Sequence, residues 1–181
     1  MNTIVYLIKK KLLKILGDTE KLMKLDLLYY KSLGVEIGNN VRFFSPLITS
    51  EPYLLKFGNN ITISTNVTFI THDNSVTKIR EDSTDVFGEI VVGNNCFIGH
   101  GSIILPGVTL GDNVIVGAGS VVTKSFKHGN VIVAGNPAKI ICSTEDYEKK
   151  ISPFLQNTRG MSFEDKKNYI LGNTSGKLLR K

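Results

Sequence analysis

Histidine is the side chain best suited to taking up a proton near neutral pH, and this 181-residue chain holds three: His72, His100 and His128. His72 stands in Ile70-Thr71-His72-Asp73, where the adjoining carboxylate of Asp73 would either orient the imidazole or hold a substrate. As metal ligands the three are badly spaced. Each lies 28 residues from the next, whereas a zinc site built on histidines takes two only a few residues apart. Cys96 and Cys142 form no pattern with a histidine, and two thiols do not make a disulfide framework. No serine or cysteine has a GxSxG setting that would make it a nucleophile. The chemistry that such a side chain could supply is proton transfer as a general base, its bland rival being a solvated loop histidine.

A base works only if something rigid holds it, and the rigid part of the chain is legible at 92–127. Written in sixes it reads VGNNCF, IGHGSI, ILPGVT, LGDNVI, VGAGSV, VTKSFK. Val92, Ile98, Ile104, Leu110, Val116 and Val122 open the units, and Gly93, Gly99, Gly111 and Gly117 follow. Cys96, Ser102, Val108, Val114 and Ser120 take the fifth place. Neither a helix nor a long strand has this period. Three sixes around a triangular coil do, with the first and fifth residues inward and tight Gly or Asn turns between.

Earlier in the chain the pattern appears at Ile37-Gly38-Asn39-Asn40-Val41, blurs over 43–56, and returns at Phe57-Gly58-Asn59-Asn60-Ile61. From Phe69 to Val92 the step is 23, no multiple of six, so the polar stretch 71–89 is an excursion from the stack. His72 opens it. A loop thrown from a rigid repeat is a usual place for binding and catalysis.

Both ends of the chain read as helical. Over the first 33 residues Val5, Ile8, Leu12, Ile15 and Leu16, then Leu22, Leu25 and Leu28, keep helical spacing, with a break at Gly17-Asp18. The other side carries Lys9, Lys10, Lys11, Lys14, Lys21 and Lys24. Such a segment either covers the open end of a repeat stack or lies on an anionic membrane. Beyond 142 two short helices are expected, opened by Ser143 with Asp146 and by Ser162 with Asp165, before a basic GKLLRK tail. The formal charge of +6 belongs mostly to these ends; it permits an anionic partner, and nothing predicts nucleic acid. No secretion signal or apolar run of spanning length is evident, and free cysteines suit a reducing, cytoplasmic setting.

The sixes, the single excursion and the closing AGNPAK together resemble the hexapeptide-repeat acyltransferases, nearest the maltose, galactoside and polysaccharide O-acetyltransferases. The likeness covers about 35–141. It implies an all-β solenoid, a left-handed parallel β-helix, with α-helical appendages at 1–34 and 142–181 and an active-site loop at about 71–90. It also implies a homotrimer that transfers acetyl from acetyl-CoA to a carbohydrate hydroxyl, with His72 as general base.

Carried over by position, His100 would line the cofactor groove, its rival being a solvated turn histidine. Gly117 and Ala118 would offer backbone contacts, with Thr123 and Lys124 further along the cofactor arm. Lys139 would stand near the nucleotide phosphates, unless it and Lys124 are ordinary surface lysines. His128 receives no role.

The chain departs from the family at Phe43-Phe44-Ser45-Pro46, where an acceptor-binding asparagine is missing, and at Phe97, where tryptophan is typical. Those departures favour a polysaccharide or its precursor over a free sugar. N-acetylation of an amino sugar, a zinc carbonic anhydrase on the same coil, and a saccharide-binding solenoid without activity remain the alternatives.

Overall fold

The computed structural model describes residues 1–172, 178 and 179. Residues 1–144 form one compact unit, and the chain from 145 onward forms a second. Two helices lead, α1 (Thr3–Ile15) and α2 (Thr19–Ser32). The first coils carry β1 (Glu36–Ile37), β2 (Arg42–Phe43), β3 (Leu55–Phe57), β4 (Thr62–Ile63) and β5 (Thr68–Phe69). A hairpin of β6 (His72–Asp73) and β7 (Val86–Phe87) then leaves the stack. The stack resumes with β8 (Ile90–Val92), β9 (Phe97–Ile98), β10 (Ile103–Ile104), β11 (Thr109–Leu110), β12 (Ile115–Val116) and β13 (Val121–Val122). An antiparallel pair, β14 (Val131–Gly135) and β15 (Ala138–Ser143), closes it.

Strands β1, β3, β8 and β11 form one sheet, β2, β4, β9, β12, β14 and β15 a second, and β5, β10 and β13 a third. From β3 to β13, the hairpin aside, consecutive strands fall on the three sheets in rotation, so the chain winds a three-sided parallel coil. Val92 pairs with Leu110, Ile98 with Val116 and Ile104 with Val122, each a step of three sixes. Before the hairpin the same columns hold Phe57 against Val92, Ile63 against Ile98 and Phe69 against Ile104. That is a step of 35 residues, as Asn59 and Asn94 also show. The coil closes as if the excursion were not there.

The inward positions are those that the sixes predict. Val92, Ile98, Ile104, Leu110, Val116 and Val122 are buried, and so are Cys96, Ser102, Val108, Val114 and Ser120. Each aliphatic of this set contributes roughly 1.5–3 kcal/mol. The buried hydroxyls are not orphaned: Ser102 Oγ and Ser120 Oγ both donate to the Gly117 carbonyl, at 3.0 and 2.6 Å. Burial pushes the Cys96 thiol up to about 11, which keeps it inert.

At the corners Asn40, Asn60, Asn95, Asn113 and Asn130 adopt φ between 52° and 58°. Their amides stack from coil to coil, Asn40 on Asn60 at 2.9 Å and Asn60 on Asn95 at 3.1 Å. Beside them Asn59, Asn94 and Asp112 accept the backbone N–H of Asn39, Asn59 and Asn94 from the preceding coil. The backbone passes so close there that a Cβ on Gly93 would fall 2.7 Å from the Gly111 carbonyl carbon. Only glycine fits.

At its first end the coil interior is aromatic. Tyr30 of α2 packs edge-on to Phe43, Phe43 to Phe57 and Phe57 to Phe69, with centroids 5.2–5.4 Å apart. The Tyr30 hydroxyl accepts the Leu47 N–H at 3.1 Å, and burial pushes its own pKa up to about 12. Thus α2 covers the open end through Tyr30, while Lys10 and Lys14 of α1 share a hollow with Phe43, Phe44, Ser45 and Pro46 beside it. α1 lies on α2 through Tyr6, stacked 3.7 Å from Tyr29, and through Lys10, whose ammonium is 2.9 Å from Asp26.

In the second unit, α3 (Thr144–Ile151) begins at its boundary and is followed by α4 (Phe163–Gly172). Ser162 caps α4 by accepting the Asp165 N–H at 3.1 Å. Most of the GKLLRK tail lies outside the described residues. Among the described residues no helix is long and apolar enough to cross a membrane.

Candidate active site

The hairpin is anchored where it leaves the coil. β6 pairs with β7 so that His72 faces Phe87 and Asp73 faces Val86, and Gly88 N–H donates to the Thr71 carbonyl at 2.9 Å. The Phe87 ring centroid stands 6.1 Å from the imidazole. Thr71 is buried under His72, which edges a hollow shared with Ile48, Ser50 and Phe69.

The partner of His72 comes from the preceding coil. Glu51 Oε2 is 2.8 Å from His72 Nδ1 and accepts the Thr71 hydroxyl at 2.7 Å. Thr49 Oγ1 approaches Thr71 Oγ1 at 2.5 Å and accepts the Glu51 N–H at 3.4 Å. The Glu51 side chain is only 12% exposed against 35% for His72, so the carboxylate is shielded while the ring reaches outward. The Thr71 hydroxyl, and then the imidazole, hold the Glu51 carboxyl below its ordinary value. The hydrogen bond to Glu51, with the carboxylate charge behind it, raises His72 above its own ordinary value. A carboxylate on Nδ1 favours the tautomer that carries its proton there and leaves a lone pair on Nε2. The arrangement is that of a base with its orienter.

Sequence reasoning placed His72 at the start of the excursion and missed Glu51. Asp73, the carboxylate weighed as an orienter, does not reach the ring: its Oδ1 accepts the Ser75 N–H at 2.8 Å and shapes the turn at Ser75–Lys78. Adjacent strand residues point to opposite faces, which is why the sequence neighbour fails and one 21 residues away succeeds. The one clue to Glu51 was the 20-residue step from Ile37 to Phe57, two more than three sixes. The extra residues let 51–54 rise from the coil toward the hairpin.

The other candidates fall elsewhere on the coil. His100 is exposed at a turn, with Nδ1 2.6 Å from Thr65 Oγ1. The backbone of Gly117 is already engaged on both sides. Its N–H donates to the Val133 carbonyl at 2.8 Å and its carbonyl accepts the two serines. Ala118 and Thr123 are exposed. Lys124 lies 5.8 Å from the Phe126 ring centroid and lines a hollow with Lys127, His128, Val131 and Ile140. Lys139 is exposed on β15 opposite Ala134. Among the described residues no three His, Cys, Asp or Glu side chains converge as a metal site would need.

A family profile described as bacterial transferase hexapeptide (six repeats) matches residues 89–124. Over 158 residues the chain is 49% identical to Protein CapG of Staphylococcus aureus, spanning 83% of this chain and 91% of that protein. The chain belongs to the hexapeptide-repeat acyltransferase family. Among solved structures, this hexapeptide acyltransferase is similar to galactoside acetyltransferase in complex with coenzyme A. The two share 30% identity with a TM-score of 0.54, over 72% of this chain and 74% of that one. It is also similar to a maltose O-acetyltransferase from Clostridium difficile 630, at 25% identity and a TM-score of 0.51, over 77% and 88% of the two chains.

Proposed function

We propose that this hexapeptide acyltransferase moves an acetyl group from acetyl-CoA to a sugar hydroxyl of a polysaccharide or its precursor, with His72 as general base. The observation that carries the reading is the Glu51–His72 pair at the root of the one excursion from the coil. Likeness to the galactoside and maltose enzymes supports the acceptor class and the coenzyme.

In the step envisaged, Nε2 of His72 takes the acceptor proton as the hydroxyl oxygen bonds to the thioester carbonyl carbon. The carbon–sulfur bond then breaks, and the departing thiolate receives that proton from the imidazolium. Glu51 keeps Nδ1 protonated and stabilises the transient positive charge on the ring. Asp73 is proposed to contact the acceptor from the far side of β6.

For the coenzyme, the exposed Lys124 and Lys127 beside Phe126, Val131 and Ile140 fit a ligand that is anionic at one end and apolar along its arm. His100, Gly117, Ala118, Thr123 and Lys139 are proposed to extend that surface. The coil is read as left-handed, with 35–141 as the catalytic domain and 1–34 and 142–181 as appendages. The enzyme is read as a cytoplasmic homotrimer whose sites lie between neighbouring copies.

Release of free thiol from acetyl-CoA, measured against sugars, amino sugars, nucleotide sugars and polysaccharide precursors, tests this. His72→Ala is expected to abolish acceptor-dependent release with the assembly's mass unchanged. Full activity in that variant overturns the base assignment. Turnover of amino sugars alone moves the reading to N-acetylation, and failure of the unaltered chain to bind acetyl-CoA overturns it altogether.

A further inference from the structure

Helix α1 turns its apolar side away from the protein. At about 100° per residue, Ile4, Val5, Ile8, Leu12, Ile15 and Leu16 share a face roughly 120° wide. All six are exposed, Ile4 by 67% and Ile15 by 74%. The opposite side meets α2, and it is the more polar of the two. There the Tyr6 hydroxyl donates to Asp26 at 2.8 Å and Lys10 Nζ lies 2.6 Å from that hydroxyl, with Leu13 half-buried alongside. Of the consecutive lysines Lys9, Lys10 and Lys11, the middle one is drawn inward to Asp26. The outer two remain exposed, one on each border of the apolar face, with Lys14 beyond Lys11.

A fixed helix with a bare apolar stripe bordered by cations matches the interface of an anionic bilayer. The stripe enters the acyl boundary while the lysines reach up to lipid phosphates along their own apolar stems. The same face of a second copy is a poorer occupant. α1 contains no acidic residue, so pairing two such faces would set lysine against lysine with no carboxylate between them. The packing on α2 also fixes the orientation beforehand, so the helix need not fold or turn on binding.

We infer that the outward face of α1 is a docking surface for an anionic membrane, on which the helix lies in the plane of the bilayer. The inference is independent of acetyl transfer, because binding is read without turnover. It is tested by flotation of the full chain with vesicles of phosphatidylcholine containing about one third phosphatidylglycerol, and with phosphatidylcholine alone.

The expected result is flotation with the anionic vesicles and little with the neutral ones, weakened by salt. Lys9→Glu with Lys11→Glu, and separately Ile8→Glu with Leu12→Glu, should each lower the bound fraction about tenfold or more. All four side chains are exposed, so the fold should survive, and sedimentation velocity should give an unchanged mass. Absence of flotation, or flotation indifferent to lipid charge and to the lysine variant, overturns the inference. A fall in mass for the Ile8→Glu/Leu12→Glu chain overturns it in favour of an interface between copies.

Discussion

Glu51 Oε2 lies 2.8 Å from Nδ1 of His72 across 21 residues of chain. The same oxygen is tied down by Thr71, so the carboxylate is held whether or not the imidazole is charged. If His72 is the base proposed above, an orienter anchored in this way would keep it in one tautomer and one ring position.

Glu51→Gln should therefore lower kcat about 100-fold or more, with the KM for acetyl-CoA little changed. The pH profile separates this from a purely structural role. His72 must be neutral to accept a proton, so the rate rises with pH as the ring deprotonates. Because Glu51 raises the imidazole pKa, the ascending limb of kcat/KM should lie above the ordinary histidine range and move to lower pH in the variant. A limb that stays in place would show that the carboxylate does not act through the ring.

The pair also makes stability depend on pH. His72 is raised on folding, so its contribution is fully present below its ordinary value of 6.5 and is lost as pH climbs through the higher folded value. Glu51 is lowered, so its contribution is present above its ordinary value of 4.5 and is lost as pH falls through the lower folded value. The Tm difference between the native chain and Glu51→Gln should be greatest between those ordinary values. It should shrink as pH climbs through the raised His72 value and again as it falls through the lowered Glu51 value, as a series of thermal melts will show.

Phe57 and Phe97 test the inward and outward positions of the coil. Phe57 is buried between Phe43 and Phe69, whereas Phe97 is 42% exposed on β9. Phe57→Ala should cost about 3–5 kcal/mol in denaturant unfolding. Phe97→Ala should stay within about 0.5 kcal/mol, so any loss of activity there would report contact with substrate.

Asn60 holds φ at 56° and bonds its amide both to Asn40 and to Asn95. Asn60→Ala should lose about 1–2 kcal/mol from the left-handed backbone alone. Asn60→Gly keeps that backbone accessible and loses only the amide ladder, so it should unfold at a higher denaturant midpoint than the alanine variant.

The coil was legible in the linear chain because its period is local. Each six carries its own inward aliphatic and its own turn, and a register of 18 residues follows once three sides are assumed. The excursion was legible for the same reason, as a break in that period at His72. What the pattern could not contain was any relation between coils of unequal length. Glu51 meets His72 only because the 20-residue coil lifts 51–54 while the next one throws out its hairpin, and no period links the two. The engaged backbone of Gly117 depends on three strands that pack after the coil closes. The outward turn of α1 likewise rests on Tyr6 and Lys10 meeting Asp26 and Tyr29, contacts between two helices that the period of neither one shows. Local periodicity determined the scaffold; which side chains face one another across it was decided by packing.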